Sequence, residues 1–370
     1  MKSQPMIVVA AAAALVVAAS ATKAVHAERS PGAVYTMSNA TTGNRILVLD
    51  RAPNGTLTPA GSFATGGLGS GGGLGNQGAL TLSENGRWLL AVNAGSNNLS
   101  LFATDDDGLR RVDKAPSGGS QPVSVTVHRD LVYVLNAGSD NVSGFRLRPH
   151  GRLSPLAGST RPLSGSGTGP AQVQFSADGR VLVVTEKATN LIVTYAVHED
   201  GFLGPPHAQA SQGATPFGFA FGRRRQLFVS EAFGGAPVAS AVSSYHVAAD
   251  GMLEVVSPSV ATHQTAACWV VVTEDGQFAY TTNTGSGSIS GYEIESDGAL
   301  TLLNADGRTA DTGVGSAPTD LALSENGRFL FVLNSAAHSI GAFRILHSGQ
   351  LQPVAAVGGL PAGANGLAAR

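Results

Sequence analysis

The fold is decided by the stretch PTDLALSENGRFLFVLNSAAHSIGAFRILHSGQL, residues 318–351. It contains two apolar runs on either side of the sequence Asn326-Gly327. Asn-Gly and Asp-Gly favour tight hairpins because both central positions of a type I′ turn need a positive φ. Continuous apolar runs bounded by turns are typical of strands buried on both faces. With a further junction after Asn334 and a turn at Gly349, the stretch predicts four strands joined by three turns.

The turn near the end of this stretch recurs along the whole chain. Its pattern is a small or polar residue, Gly, a variable residue and Leu, and in the second copy the Leu comes one place early. The glycines of the seven copies lie 43 to 53 residues apart, at Gly55, Gly108, Gly151, Gly201, Gly251, Gly298 and Gly349. Repeats of roughly 40 to 50 residues with four strands each are typical of propeller blades. The sequence therefore predicts an all-β fold, a seven-bladed β-propeller of four-stranded antiparallel blades.

The two ends of the repeat array complement each other. The first unit starts at residues 33–38, which match a second strand and lack a first, whereas residues 365–369 match the first strands of other units. Joining ends about 340 residues apart costs roughly 5 kcal/mol of loop entropy. Burying apolar side chains such as Val34 and Leu367 returns about 1.5 to 3 kcal/mol each. We therefore expect the C-terminal strand to close the N-terminal blade, in preference to a linear solenoid.

Composition excludes several classes of protein. Charged residues make up 13% of the chain and hydrophobic residues 43%, which argues against both a coiled coil and global disorder. The net charge of -2 gives no basic footprint, so we expect no nucleic-acid partner. The histidines show no zinc spacing and no phosphate-binding Gly-rich loop opens a helix, so we expect no metal and no cofactor.

The first residues of the chain have the features of a secretory signal peptide. A positive start is followed by an apolar run at residues 6–21 and then by small residues suited to cleavage. The run is short for a membrane span, and an uncleaved anchor is the alternative. We predict a signal peptide at residues 1–27, a single propeller domain at residues 28–370, and an exported protein, periplasmic or extracellular, with no membrane span after cleavage. Its only cysteine, Cys268, leaves it no internal disulfide.

Several motifs carry a resemblance to a known family. Residues 169–175 read GPAQVQF, residues 184–186 read VTE, and residues 215–219 read TPFGF. Over residues 33–369 the chain resembles the seven-bladed propeller lactonase family, which includes bacterial 6-phosphogluconolactonase and the fungal carboxymuconate cyclases. The resemblance implies the propeller fold and an enzyme that opens or closes a small lactone.

The chain departs from the family at positions that matter for chemistry. The family's Arg and His before the apolar run are replaced here by Ala171 and Gln172, and its later Arg has no counterpart at Thr284. Glu186 matches the family's acidic residue at the end of the next strand. The chain therefore keeps the frame and one acid, and whether it is an enzyme stays open.

Opening a lactone needs a proton shuttle and a group that stabilises charge on the carbonyl oxygen. First strands line the channel of a propeller, so we expect their beginnings, together with the ends of the second strands, to converge at one mouth. We predict Glu186 and Asp320 as the catalytic acids there. The residues expected to bind the substrate are Ser124, Gln172, Glu231, Trp269, Asn283 and Asn334.

Several of these positions also have a structural explanation. Glu186 has Lys187 beside it for a surface ion pair, and Asp320 has backbone amides within reach. An Asn at a strand end tolerates left-handed turn geometry. An aromatic residue such as Trp269 is often part of a propeller core.

Two functions follow from these observations. The first is an exported hydrolase or cyclase that acts on a small lactone or cyclic ester at the channel mouth. No Arg or Lys is expected around that mouth to hold a phosphate, which argues against a phosphosugar substrate. The alternative is a non-catalytic secreted propeller that binds a small ligand or a partner protein. The Gly-rich loops, among them residues 66–78, are either simple crossings between blades or loops that contact the ligand.

Overall fold

Thirty β-strands and two short 3-10 helices build the part of the chain that the computed structural model describes, residues 32–105 and 108–370. The predicted signal peptide lies outside these residues. The strands form seven antiparallel sheets, and each sheet is a blade whose strands follow one another outward from the channel. This architecture confirms the all-β seven-bladed propeller. Among the described residues, no helix has the length and apolar character of a membrane span.

The strands are distributed over the blades as follows. Blade 1 contains β1 (Gly32–Met37), β2 (Arg45–Arg51) and β3 (Leu57–Ala64), and blade 2 contains β4 (Leu80–Leu82), β5 (Trp88–Asn93), β6 (Asn98–Asp105) and β7 (Gly108–Pro116). Blade 3 contains β8 (Pro122–His128), β9 (Leu131–Asn136), β10 (Asn141–Arg148), β11 (Arg152–Pro155) and the short β12 (Arg161–Pro162). Blade 4 contains β13 (Pro170–Phe175), β14 (Val181–Glu186), β15 (Leu191–Ala196) and β16 (His207–Ala210).

The remaining blades repeat the pattern. Blade 5 contains β17 (Pro216–Phe221), β18 (Gln226–Glu231), β19 (Ala241–Val247) and β20 (Leu253–Ala261), with the 3-10 helices at Arg223–Arg225 and Phe233–Gly235. Blade 6 contains β21 (Ala267–Val272), β22 (Phe278–Asn283), β23 (Ser288–Ile294), β24 (Leu300–Leu302) and the short β25 (Ala310–Asp311). Blade 7 contains β26 (Pro318–Leu323), β27 (Phe329–Asn334), β28 (Ser339–Ile345) and β29 (Leu351–Val357), and β30 (Asn365–Ala369) ends the chain.

The last strand closes the ring. β30 is the innermost strand of blade 1 and pairs antiparallel with β1, so that Val34 lies opposite Ala369 and Thr36 opposite Leu367. Val34 and Leu367 are both buried. The closure predicted from the two chain ends is therefore confirmed, and the sheet edge that β1 would otherwise expose is covered.

The Asn-Gly and Asp-Gly turns between first and second strands are stabilised in a common way. In four blades a Ser or Thr hydroxyl before the turn donates to the Asn or Asp side chain two residues later, at 2.6 to 2.8 Å. The glycine that follows has a φ of 65 to 71°, which favours glycine because it has no Cβ. These pairs are Ser83 with Asn85, Ser176 with Asp178, Thr273 with Asp275, and Ser324 with Asn326.

The core lies between the blades. Successive residues of a strand point to opposite faces of its sheet. In β27, Phe329 and Phe331 pack in a cluster shared with blade 1, while Leu330 and Val332 pack in a cluster shared with blade 6. This explains why the second strands read as unbroken apolar runs, since both of their faces are covered.

Candidate site in the central channel

Side chains near the beginnings of the innermost strands link neighbouring blades by hydrogen bonds. The hydroxyl of Ser124 in blade 3 accepts from the backbone N–H of Val173 in blade 4 at 3.1 Å. The amide of Gln172 binds both backbone groups of Phe219 in blade 5, accepting from its N–H at 2.7 Å and donating to its carbonyl at 2.9 Å. These predicted binding residues therefore have a structural partner in the next blade.

In blade 5 the corresponding position is Gly218, and a side chain from elsewhere takes its place. Gln77 accepts from the N–H of Val270 at 3.1 Å and donates to its carbonyl at 2.8 Å, while its own N–H donates to Ala171 O at 3.1 Å. A Cβ on Gly218 would lie 2.1 Å from Gln77 Oε1, so a glycine is needed there. Gln77 belongs to the Gly-rich segment at residues 66–78, which we call the plug loop because it closes this end of the channel.

Two further contacts hold the plug loop in place. The indole N–H of Trp269 donates to Asn76 O at 2.7 Å. The ammonium group of Lys187 donates to Gly75 O and lies 4.9 Å from the ring centroid of Phe217. Burial lowers the pKa of Lys187 to about 8, against a smaller opposing effect of the neighbouring Cys268.

The thiol of Cys268 lies beneath this region. Burial raises its pKa to about 12, an effect that Thr284 and Lys187 only partly offset. Because the thiolate is the reactive form, this raised pKa disfavours a nucleophilic role for Cys268.

A cavity of about 560 Å³ occupies the rest of the channel. It begins at Gln77, Gln172 and Asp320 and follows the innermost strands to the turns between first and second strands, where His128 and Ala177 line it. The cavity is therefore open at the face that carries these turns. The sequence placed the mouth at the opposite face, where the plug loop lies, and a site at that face stays a prediction.

Asp320 lies on the floor of the cavity. Its side chain is 3% exposed, and its carboxyl accepts from the backbone N–H groups of Leu321, at 2.8 Å, and Leu367. Burial raises the pKa of Asp320 well above its usual range, although the two amide hydrogen bonds act in the opposite direction. A carboxyl group that has a raised pKa and faces a cavity is suited to exchange a proton with a ligand.

Glu186, the other predicted catalytic acid, is not among the described residues that line the cavity. It is fully buried, and its carboxylate accepts from Ser164 N at 2.9 Å, from the Ser164 hydroxyl, and from the Thr189 hydroxyl at 2.7 Å. These bonds hold the crossing before β13 to the hairpin after β14. Its catalytic role stays a prediction.

Glu231 occupies the same position in blade 5. One of its oxygens accepts from Gly213 N at 2.7 Å and from the Ser243 hydroxyl at 2.6 Å, and the other accepts from the Ser259 hydroxyl at 2.6 Å. In blade 6, the amide of Asn283 donates to the hydroxyls of two serines of β23, at 2.9 and 3.1 Å.

Of the eight predicted site residues, the structure brings only Asp320 and Gln172 to the cavity. Ser124, Trp269, Glu231, Asn283, Asn334 and Glu186 are buried beside or behind the plugged end, outside its described lining. For these six, a role in catalysis or binding stays a prediction.

Three lining residues escaped the sequence analysis. His128 Nδ1 lies 2.7 Å from Glu84 Oε1 at the open rim, and Gln174 accepts from Gln172 Nε2 at 3.2 Å, which leaves its own amide hydrogens for a ligand. The signal for His128 is in the repeat, because it stands where four other blades have Ser or Thr before the turn. Among the described lining residues, the titratable ones are Asp320, Glu84 and His128, and none is Lys or Arg.

Among the described residues, no group of three or more His, Cys, Asp or Glu side chains is placed to hold a metal ion. The cavity lining supplies carboxyl, imidazole and amide groups.

A family model described as "Lactonase, 7-bladed beta-propeller" matches residues 34–160 and 238–363 of the chain. The two matched segments cover more than half of its length. None of the curated proteins shows significant sequence similarity to it.

Solved structures share the fold at low sequence identity. A candidate 6-phosphogluconolactonase from Bacteroides uniformis superposes with a TM-score of 0.72 at 19% identity, covering 90% of this chain and 98% of its own. A protein from Lactobacillus plantarum has a TM-score of 0.72 at 19% identity, with 92% and 99% covered. The periplasmic gluconolactonase of Pseudomonas aeruginosa has a TM-score of 0.66 at 16% identity, with 90% and 98% covered.

Proposed function

The chain belongs to the seven-bladed β-propeller lactonase family, and we propose that it hydrolyses an uncharged lactone or cyclic ester inside the channel cavity. The observation that carries this proposal is Asp320, a buried carboxyl group with a raised pKa on the floor of a cavity of about 560 Å³. A general base works best when its pKa lies near the working pH, and burial moves a carboxyl group in that direction.

One carboxyl group can perform both proton transfers. The Asp320 carboxylate takes a proton from a water molecule as the water oxygen bonds to the lactone carbonyl carbon. The resulting carboxylic acid then returns the proton to the ring oxygen as the carbon–oxygen bond breaks, and the product is a hydroxy acid. The free amide hydrogens of Gln174 face the same cavity and are the candidate donors to the carbonyl oxygen.

The charge of the cavity indicates an uncharged substrate. Its described lining contains two acidic residues and no Lys or Arg, whereas a phosphate group is usually held by cationic side chains. The Bacteroides uniformis protein is named after a phosphorylated lactone, 6-phosphogluconolactone, which therefore suits this cavity poorly. An unphosphorylated lactone, as in the description of the Pseudomonas aeruginosa protein, fits its charge better.

The predicted location also belongs to the proposal. A signal peptide at residues 1–27 would carry the protein out of the cytoplasm, to the periplasm or the medium, where phosphosugar metabolism does not take place. Export therefore agrees with a cavity whose described lining contains no Lys or Arg to hold a phosphate group.

The alternative is a propeller that binds a small ligand or a partner protein without turnover. It is favoured by one observation: Gln172, which stands at the family's His position, gives both of its amide hydrogens to Phe219 O and Gln174 Oε1. The Gln172 amide therefore has a structural role, and proton transfer in the proposed hydrolysis depends on Asp320.

A lactone panel separates the two functions. Purified protein lacking residues 1–27 is assayed with uncharged and phosphorylated lactones, together with Asp320→Asn and the control Asp297→Asn, an exposed turn residue whose Oδ1 accepts from Ala299 N. We expect uncharged lactones to be hydrolysed and Asp320→Asn to lower kcat/KM by about 100-fold or more, with an unchanged melting temperature. Wild-type turnover in Asp320→Asn would contradict the mechanism. Binding by calorimetry without any turnover would favour the alternative.

A further inference from the structure

Many of the backbone polar groups along the cavity wall are already hydrogen-bonded, so the wall is less polar than unpaired strand edges would make it. An innermost strand has one edge without a neighbouring strand, so its N–H and C=O groups face the channel. Here side chains of adjoining blades bond several of these groups, in addition to the glutamine pairs described above. The Thr81 hydroxyl donates to Val125 O at 2.8 Å, and the Thr126 hydroxyl accepts from Phe175 N at 3.3 Å. Most lining residues between floor and rim are aliphatic or aromatic.

The cavity is also larger than a lactone ring. Its volume of about 560 Å³ equals that of roughly 19 water molecules at about 30 Å³ each. It falls within the roughly 300 to 1,000 Å³ of pockets that enclose drug-sized ligands. Along β26, the distance from Asp320 on the floor to Leu323 near the rim is about 10 Å at 3.3 Å per residue. A bare ring beside Asp320 would leave most of this space to water.

We propose that the substrate is a lactone with an unbranched apolar substituent, the ester group lying against Asp320 and the substituent extending toward the rim. This inference rests on the proposed hydrolysis. Leu82, Val271 and Leu323, which are half-buried, line the path of the substituent. An extended chain advances roughly 1.2 Å per bond, so about 10 Å holds the ring and a substituent of about five carbons. Carbons beyond that number emerge into solvent and bury no further surface.

A chain-length series tests the substrate class. The probes are γ-butyrolactone and γ-lactones with unbranched substituents of two, five and eight carbons, with gluconolactone as a polar comparison. Full burial of one methylene corresponds to about a fourfold gain in affinity, so kcat/KM is expected to rise about two- to fourfold per carbon up to about five carbons and then to level off. Equal values along the series, or gluconolactone exceeding the five-carbon lactone, would overturn the inference.

Binding to the Asp320→Asn variant separates this inference from the proposed hydrolysis. Calorimetric Kd values are measured with the same series and are expected to fall with chain length in the same way. If Kd falls while the wild type hydrolyses no lactone, the ligand class stands and the hydrolysis fails. If γ-butyrolactone is hydrolysed while neither kcat/KM nor Kd depends on chain length, the hydrolysis stands and this inference is wrong.

Discussion

Gln77→Ala tests whether the plug loop is an integral part of the ring. The substitution removes the side chain that bonds both backbone groups of Val270, which lie in the buried interior. A buried polar group left without a partner costs about 1 to 3 kcal/mol, so two such groups cost about 2 to 6 kcal/mol. The vacated space adjoins the channel cavity, and water can enter it and bond the exposed groups. We therefore expect the lower end, a loss of about 2 kcal/mol in the free energy of unfolding.

The measurement is chemical unfolding followed by far-UV circular dichroism and tryptophan fluorescence. Gln350→Ala is the matched control, because Gln350 is half-buried and makes one side-chain hydrogen bond, to Asn304 at 3.2 Å. Its loss is expected to stay below about 0.5 kcal/mol, as for most surface substitutions. Both variants are expected to keep the wild-type dependence on denaturant concentration. If Gln77→Ala destabilises no more than the control, the plug loop is a peripheral crossing and the reasoning fails.

Three further predictions follow from the site. Ala177→Trp, at the open rim, is expected to lower kcat/KM for lactones about tenfold because the indole obstructs access. Ala337→Trp, at an exposed position on the opposite face, is expected to leave kcat/KM unchanged. If Ala337→Trp lowered kcat/KM and Ala177→Trp did not, ligands would enter through the plugged end. Lys187→Met removes a group whose pKa falls from 10.5 to about 8 on folding. The unfolded chain therefore binds more protons than the folded chain between these pH values. As the pH rises from 8 to 10.5, the free energy of unfolding of the wild type should increase by about 3 kcal/mol relative to that of Lys187→Met. A difference that does not depend on pH would contradict the burial of the ammonium group. Glu186→Gln replaces an acceptor oxygen with an amide donor. We expect the free energy of unfolding to fall by about 1 to 3 kcal/mol and kcat/KM to stay unchanged. Loss of turnover at wild-type stability would instead make Glu186 a catalytic residue.

The fold was readable from the sequence because its signals are local. Each blade repeats its own turns, and the hydroxyl-to-Asn contact at Ser324 spans two residues. The closure by Leu367 was also readable, because a missing first strand at one end matched an extra one at the other. Four residues or fewer decide each turn, and the repeat shows the turns several times.

The position of the mouth could not be read in this way. It depends on Gln77, which bonds Val270 across 193 residues of sequence and replaces a side chain that Gly218 lacks. No periodicity reports such a contact, since it occurs once in the chain. The place of Asp320 in the repeat put it at the channel, and it lines the cavity, while its catalytic role stays a prediction. What the pattern left open was that the other end of the channel is the accessible one.

The most direct test of the account is a crystal structure of the Asp320→Asn variant with γ-nonalactone bound. We expect electron density for the lactone inside the channel, with its carbonyl group within hydrogen-bond distance of residue 320 and its substituent directed toward Ala177 at the open rim. A lactone bound at the face of the plug loop, beside Lys187 and Trp269 and remote from residue 320, would contradict it.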